Sequence, residues 1–232
     1  EPAASPADPT PQRGRSLDWP PYQDPAHPLV LVNKEFGLPP GYVPDDLVEP
    51  RIPFTVAAPS PQRLLRREAA QAVERLFAQA QRDGITLYGV SGYRPYERQK
   101  AIFEWKTLSR GEEAARFNAP PGHSEHQTGL ALDVSSRSVG FQLIQAFAET
   151  AEGRWLAEHA PAFGFIIRYP KGKEAVTGYA YEPWHLRFVG PEAAHYISAN
   201  DLTLEEYLWH HWLLVAPFPA RPPGPRGPWP ED

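Results

Sequence analysis

Proline is the residue that most limits what this chain can fold into, because it interrupts helices and regular central strands. The sequence has 29 prolines, of which eight fall in residues 1–28 and seven in residues 217–232. Both ends are therefore expected to be extended segments outside the regular structure. The distribution predicts a proline-rich N-terminal segment at 1–28, one folded domain at 29–215 and a proline-rich tail at 216–232.

The composition suits a folded domain with no nucleic-acid partner. Hydrophobic residues make up 41% of the 232 residues, and aromatic residues 12%, which is enough to build a core. The formal net charge is -5, and no block of like charge stands out, so nucleic-acid binding is not expected. No apolar run reaches the length of about 18 residues that spans a bilayer. Cysteine is absent, so any bound metal must have nitrogen and oxygen ligands.

Methionine is absent as well, although a complete translation product begins with it. Removal of a signal peptide is the simplest explanation for this absence. We therefore expect a monomeric, extracytoplasmic protein of the cell envelope.

The central part of the chain alternates between helical and strand patterns. Apolar residues recur at helical spacing from Leu65 to Ala80, between a candidate N-cap at Ser60 and a closing glycine at Gly84. This predicts a first helix of about 20 residues. The other predicted helices run from Pro95 to near Gly111, within 141–163, from Pro191, and from Thr203 to Leu213. The predicted strands are 85–90, 130–134, 165–169 and 184–189, and residues 29–56 are predicted to be an irregular arm with one short strand. The sum is an α+β fold, a small, mainly antiparallel sheet with helices packed on it.

Two separated motifs carry residues that suit a catalytic zinc site. The first contains His126 and Asp133, and the second contains Glu182 and His185. Two histidines and an aspartate make a three-ligand set for zinc, which leaves the glutamate as a general base. Residues an odd number apart on a straight strand face opposite sides, so a turn or bulge at Gly129 is needed to bring His126 and Asp133 together.

These residues allow other interpretations. A serine–histidine–aspartate triad from Ser124, His126 and Asp133 is disfavoured, because residues two apart are poorly placed for a serine–imidazole bond. Arg94 lies where a predicted strand meets a predicted helix, so it could project into a cleft or form a structural ion pair. Five other histidines lack a matched carboxylate and are predicted to be structural or surface residues: His123, His159, His195, His210 and His211.

The motifs resemble those of one peptidase family. The run from Ser124 to Asp133 resembles the Ser-x-His-x-x-Gly-x-Ala-x-Asp signature of the D-alanyl-D-alanine carboxypeptidases that include VanY-type and LD-carboxypeptidase-B-type enzymes. Glu182-Pro183-Trp184-His185 is similar to the Glu-x-Trp-His motif of that family. The segments 91–99 and 164–173 fit as well, and the likeness covers residues 29–200 in consistent order. It implies a DD-peptidase-like zinc domain, of the kind also found in hedgehog proteins.

The resemblance also implies an activity and a set of roles. It implies a Zn²⁺ enzyme that removes the C-terminal D-alanine from peptidoglycan stem peptides, with D-Ala-D-Ala the preferred target. By this likeness Arg94 stabilises the oxyanion or the carbonyl, and three residues contact the terminal residue and its carboxylate: Gln99, Ser124 and Tyr169. The alternatives are an LD-carboxypeptidase acting on tetrapeptides, a peptidoglycan endopeptidase, and a catalytically silent module that binds the cell wall. A silent module has no need of Glu182 beside the metal, so activity is favoured.

Overall fold

The computed structural model describes residues 22–110 and 118–215. The predictions made for residues 1–21 and for the tail at 216–232 lie outside these ranges. The α-helices, in chain order, are α1 (Arg67–Arg82), α2 (Tyr96–Arg110), α3 (Ala151–His159), the single turn α4 (Glu174–Thr177), α5 (Pro191–Ala199) and α6 (Leu204–Val215). The strands are β1 (Leu47–Val48), β2 (Leu65–Arg66), β3 (Tyr88–Ser91), β4 (Ala131–Ser135), β5 (Phe165–Tyr169) and β6 (Glu182–Phe188).

The central element is a four-stranded antiparallel sheet in the order β3-β4-β6-β5. Strands β1 and β2 form a separate two-stranded antiparallel pair. Helix α1 packs on the core through an apolar stripe at helical spacing, formed by Ala69, Ala72, Val73, Leu76 and Ala80. The α+β prediction with a small antiparallel sheet is therefore confirmed.

The first helix begins later than predicted. Ser60 caps only a short 3₁₀ turn, Pro61–Arg63, and α1 begins at Arg67. The chain between them is drawn into other contacts, because Leu65 and Arg66 pair with β1 and the carbonyl of Leu64 accepts a hydrogen bond from the Tyr93 amide at 2.8 Å. Tertiary pairing thus overrides a local helical pattern that continues through Leu65.

The predicted helix within 141–163 is also shorter than expected. Only Ala151–His159 is α-helical, with a 3₁₀ turn before it at Gln145–Glu149 and another after it at Ala160–Phe163. The Thr150 hydroxyl accepts a hydrogen bond from the Gly153 amide at 2.9 Å, which starts a new helix instead of continuing an old one.

The arm at 29–56 contains one short strand, β1, as predicted, whereas its apolar run at 29–32 joins neither sheet. Val30 and Val32 are buried, and the backbone amides of Val30 and Leu31 bond to the carbonyls of His27 and Tyr22. The segment just before them also packs on the domain, since the Tyr42 hydroxyl donates to the Pro25 carbonyl at 2.7 Å. The apolar run is therefore a buried irregular segment, in keeping with the prolines and glycines that follow it.

Within the described ranges, none of the helices combines the length and the apolar character that crossing a membrane requires.

Candidate active site

Asp133 and His185 lie side by side because their strands pair in register. Asp133 on β4 is the direct cross-strand partner of His185 on β6, so both side chains project from the same face of the sheet. His185 Nδ1 is 2.9 Å from Asp133 Oδ1, and each residue is 4% exposed. The strand pairing thus brings together two of the three predicted zinc ligands.

His126 approaches the same carboxylate from a turn. It lies in the 3₁₀ turn Glu125–Thr128, which ends at Gly129 in the left-handed conformation, with φ of 67°. A Cβ at Gly129 would also lie 2.9 Å from the Leu47 side chain, so the position favours glycine twice over. This turn places His126 Nε2 3.3 Å from Asp133 Oδ2. The predicted break at Gly129 is confirmed.

The hydrogen bonds of the two imidazoles determine which ring nitrogens can bind a metal. His126 Nδ1 donates to the Gly92 carbonyl at 2.8 Å, and His185 Nε2 is 3.3 Å from Glu125 Oε2, a carboxylate that can only accept. The other nitrogen of each ring faces Asp133, with His126 Nε2 3.3 Å from Oδ2 and His185 Nδ1 2.9 Å from Oδ1. The ligand atoms of these three residues lie within 4.8 Å of one another.

This donor set fits a zinc ion. Two imidazoles, each with an outer hydrogen bond at its other nitrogen, and a carboxylate form a common three-ligand arrangement for catalytic zinc. Burial lowers the pKa of His126, which keeps the ring in its neutral form. Burial also acts to lower the pKa of His185, but the carboxylates of Asp133 and Glu125 outweigh it and raise this pKa to about 9. The site therefore attracts positive charge.

Glu182 stands beside the donor set without belonging to it. Its Oε2 is 3.9 Å from His185 Nδ1. The pairs Ile167–Leu186 and Tyr169–Glu182 show that β6 carries extra residues at this point, and Pro183 is one of them. This irregularity lets two residues three apart on one strand reach the same cleft. Burial raises the pKa of Glu182 to about 7, while His185 and Arg94 act against the rise.

Arg94 occupies the predicted corner between β3 and α2. Its guanidinium donates to Gln99 Oε1 at 2.9 Å and to Ser91 Oγ at 3.2 Å. The side-chain nitrogen of Gln99, Nε2, donates to the Ala119 carbonyl at 2.6 Å. These contacts fix the direction of Arg94. The observed contacts of Gln99 are thus those of a residue that orients Arg94, and its contact with substrate stays a prediction.

The other predicted site residues line the same cleft, which has a volume of about 700 Å³. Ser124 and Tyr169 are buried, with exposed fractions of 5% and 6%. The Tyr169 ring packs on the His185 ring with centroids 4.9 Å apart. All eight predicted residues border this cleft: Arg94, Gln99, Ser124, His126, Asp133, Tyr169, Glu182 and His185.

One buried residue next to the site was missed in the sequence. Glu125 is 1% exposed, and its Oε1 accepts from Arg168 Nε at 2.7 Å and from Arg187 Nη1 at 2.5 Å. Burial alone would raise the pKa of Glu125, but the two guanidinium groups hold it well below its usual range. The signal was present, since an arginine within each of two apolar strands needs a buried anionic partner.

Comparison with known proteins agrees with this geometry. Residues 62–191 match the family model described as VanY, D-alanyl-D-alanine carboxypeptidase. The chain belongs to this family. It is 53% identical to YodJ of Bacillus subtilis (strain 168) over 186 residues, covering 80% of this chain and 68% of that protein.

Two solved structures of the family are similar to this chain. The LdcB LD-carboxypeptidase is 52% identical with a TM-score of 0.78, covering 81% of this chain and 88% of that one. A VanY D,D-pentapeptidase from a VanB-type vancomycin resistance cassette, solved in complex with Zn(II), is 34% identical with a TM-score of 0.64, covering 78% of this chain and 98% of that one. The zinc cofactor predicted from the donor set is therefore supported by a zinc-bound relative of the same fold.

The full-length relatives differ in size from this chain. It spans 44% of the D-alanyl-D-alanine carboxypeptidase of Enterococcus faecium and 52% of that of Enterococcus faecalis (strain ATCC 700802 / V583). The matched part contains both zinc-site motifs, because the family match at 62–191 includes residues 126–133 and 182–185.

Proposed function

We propose that this protein is a zinc carboxypeptidase that removes the C-terminal D-alanine from peptidoglycan stem peptides, with D-Ala-D-Ala the preferred target. The observation that carries the proposal is the meeting of three metal donors, a non-ligand carboxylate and the guanidinium of Arg94 in one cleft. His126, Asp133 and His185 hold the metal, Glu182 is the general base, and Arg94 faces the reacting carbonyl.

The chemistry divides between the metal and the side chains. Zinc bound at such a site supplies Lewis acidity, polarising a carbonyl and lowering the pKa of a water to about 7. Glu182 accepts the proton of the attacking water and passes it to the leaving amine. A glutamate suits both halves of this transfer, because its carboxylate accepts a proton and its carboxyl group donates one.

Arg94 supplies a fixed positive charge. Its guanidinium is held by Gln99 and Ser91 before substrate arrives, so little reorganisation is needed when negative charge develops on the carbonyl oxygen. Arginine is also always protonated, so the group works over a wide pH range. Gln99, Ser124 and Tyr169 would border the terminal residue and its carboxylate, in keeping with their places around the cleft.

A catalytically silent binding module is a poor fit to this cleft. Three carboxylate residues line the cleft. Glu125 is bonded to two arginines and Asp133 belongs to the donor set, which leaves Glu182. A module that only binds has no use for a buried carboxylate beside the metal that is neither a ligand nor ion-paired to arginine. The position of Glu182 therefore supports turnover.

A second candidate is LD-carboxypeptidase activity on tetrapeptides. It is favoured by the greater similarity to the LdcB LD-carboxypeptidase, 52% identity against 34% for the zinc-bound VanY D,D-pentapeptidase. The two activities differ in the stereochemistry of the residue before the scissile bond, so they differ in the shape of the pocket that receives it.

Mass spectrometry of stem peptides after incubation with the zinc-loaded protein tests both candidates. One sample is a pentapeptide ending in D-Ala-D-Ala, the other a tetrapeptide ending in a single D-Ala, each with and without a chelator. Chelator-sensitive loss of one alanine from the pentapeptide alone establishes the DD activity, and loss from the tetrapeptide alone establishes the LD activity. Absence of cleavage in both samples, with zinc bound, would refute the proposal.

The same proposal includes a location and an assembly state. Because the substrate is part of the cell wall, the enzyme would act outside the cytoplasm, as a monomer that receives its substrate in the open cleft. Fractionation of cells and light scattering of the purified protein test these two points.

A further inference from the structure

We propose that Glu125 is a positioning residue for the metal site, which holds His185 in the orientation and tautomer that present Nδ1 to the metal. This inference rests on the ligand roles proposed above. Glu125 lies next to His126 in sequence, but it acts on the other histidine, 60 residues away along the chain.

The two oxygens of Glu125 have different partners. Oε1 accepts hydrogen bonds from both arginines, Arg168 Nε at 2.7 Å and Arg187 Nη1 at 2.5 Å. Oε2 faces His185 Nε2 at 3.3 Å. The guanidinium groups thus fix the carboxylate and keep it ionised, while the remaining oxygen is directed at the imidazole.

This contact determines which nitrogen of His185 binds the metal. Both nitrogens of His185 face carboxylates, Nε2 that of Glu125 and Nδ1 that of Asp133. A metal beside Asp133 would take the place of a proton on Nδ1, and the acceptor-only carboxylate of Glu125 then holds the remaining proton on Nε2. Nδ1 is the atom 2.9 Å from Asp133 Oδ1, inside the donor set. Without Glu125, the ring could carry its proton on Nδ1, where it would block the metal, or rotate away.

The arginines tie Glu125 to distant parts of the fold. Arg168 also pairs with Glu205 on α6, at 2.8 and 2.6 Å. Arg187 donates to the carbonyls of Pro28 and Val30 at 2.9 and 2.7 Å. Helix α6 and the segment at 28–30 therefore hold the two arginines that bind Glu125, and Glu125 in turn contacts His185.

Glu205 offers a matched control. It pairs with the same Arg168 in the same network, but within the described part of the chain its side chain bonds to Arg168 and Asn33 and not to His185. Glu125→Gln and Glu205→Gln each remove one negative charge from the network. Both variants are expected to lower Tm, whereas only Glu125→Gln alters the acceptor that holds His185.

The experiment measures zinc affinity of the full chain by competition with a chromophoric chelator, in wild type and both variants. Glu125→Gln is expected to weaken zinc binding by about 10- to 100-fold, the usual effect of losing an outer-shell partner, and Glu205→Gln by less than about threefold. Equal affinity in Glu125→Gln and wild type would overturn the inference, as would an equal loss in both variants. A wild type that binds no zinc would instead refute the proposed function itself.

A measurement on the unaltered protein covers the case in which Glu125→Gln fails to fold. In zinc-loaded, ¹⁵N-histidine-labelled wild type, long-range ¹H–¹⁵N NMR spectra report the tautomer of each ring. We expect His185 to carry its proton on Nε2. A proton on Nδ1 would rule out the positioning role regardless of how the variants behave.

Discussion

Glu182→Gln separates catalysis from metal binding, because Glu182 lies outside the donor set. The amide keeps the size of the side chain but cannot accept the proton of the attacking water. Loss of a general base costs about 10²- to 10⁴-fold in kcat. That loss equals about 2.7 to 5.5 kcal/mol in the activation barrier. The zinc content should be unchanged.

The same substitution has a second, independent effect on the stability of the metal-free protein. The pKa of Glu182 rises from 4.5 to about 7 on folding, with burial as the main cause. The folded state therefore disfavours the ionised form, so wild type loses stability as pH rises from about 4.5 through about 7. The difference corresponds to about 3 kcal/mol at about 1.36 kcal/mol per pKa unit.

Glutamine removes this penalty. Metal-free Glu182→Gln should be more stable than metal-free wild type at pH 8, by up to about 3 kcal/mol or about 6–12 °C in Tm. The advantage should vanish at pH 4, where the glutamate is protonated in both states. Glu104→Gln, an exposed position on α2, is the control for a simple change in net charge.

The assays are turnover of the stem peptides by mass spectrometry, zinc content by elemental analysis, and Tm by calorimetry between pH 4 and pH 8. Wild-type turnover in Glu182→Gln would show that Glu182 is not the base. Loss of zinc would show that it is a ligand. A Tm difference that does not grow with pH would contradict the burial of its charge.

The remaining predictions concern the metal, Arg94 and one close backbone contact. Chelation should abolish turnover and lower Tm, because the free energy of unfolding falls by about 2.7 kcal/mol relative to protein at a free zinc concentration of 100 times Kd. Added zinc should restore turnover and Tm. Turnover that survives complete removal of zinc would contradict the site. Arg94→Lys keeps the charge but loses the planar contacts to Gln99 and Ser91, so kcat should fall by about 10²-fold with zinc content unchanged; near-normal kcat would make Arg94 a structural residue. Gly153→Ala would place a Cβ 2.0 Å from the Phe147 carbonyl oxygen, a backbone atom, so stability should fall by about 1–3 kcal/mol, whereas Gly41→Ala, with no atom within 4 Å, should leave Tm unchanged.

The zinc-site residues could be found in the sequence because their chemistry is local. Histidine, aspartate and glutamate within two short motifs suffice to suggest a metal and a base, and Gly129 marks the turn that one of the motifs needs. The helix α1 could be predicted for a similar reason, since its apolar stripe repeats at the helical period. Its start could not, because the pairing of Leu65 and Arg66 with β1 is not encoded by that period.

The exact geometry depends on contacts between residues far apart in the chain. Asp133 meets His185 only because β4 and β6 pair in one register, and Glu182 reaches the cleft only because β6 carries extra residues opposite β5. The two arginines in apolar strands signalled a buried anionic partner, but the sequence did not show that it is Glu125, since Arg168, His185 and Arg187 lie 43, 60 and 62 residues away from it. The sequence by itself determined which chemical groups are present and where the chain turns. The tertiary structure decided which of these groups lie within hydrogen-bonding distance of one another and which are buried, because strand register and burial are set by the packing of the whole domain.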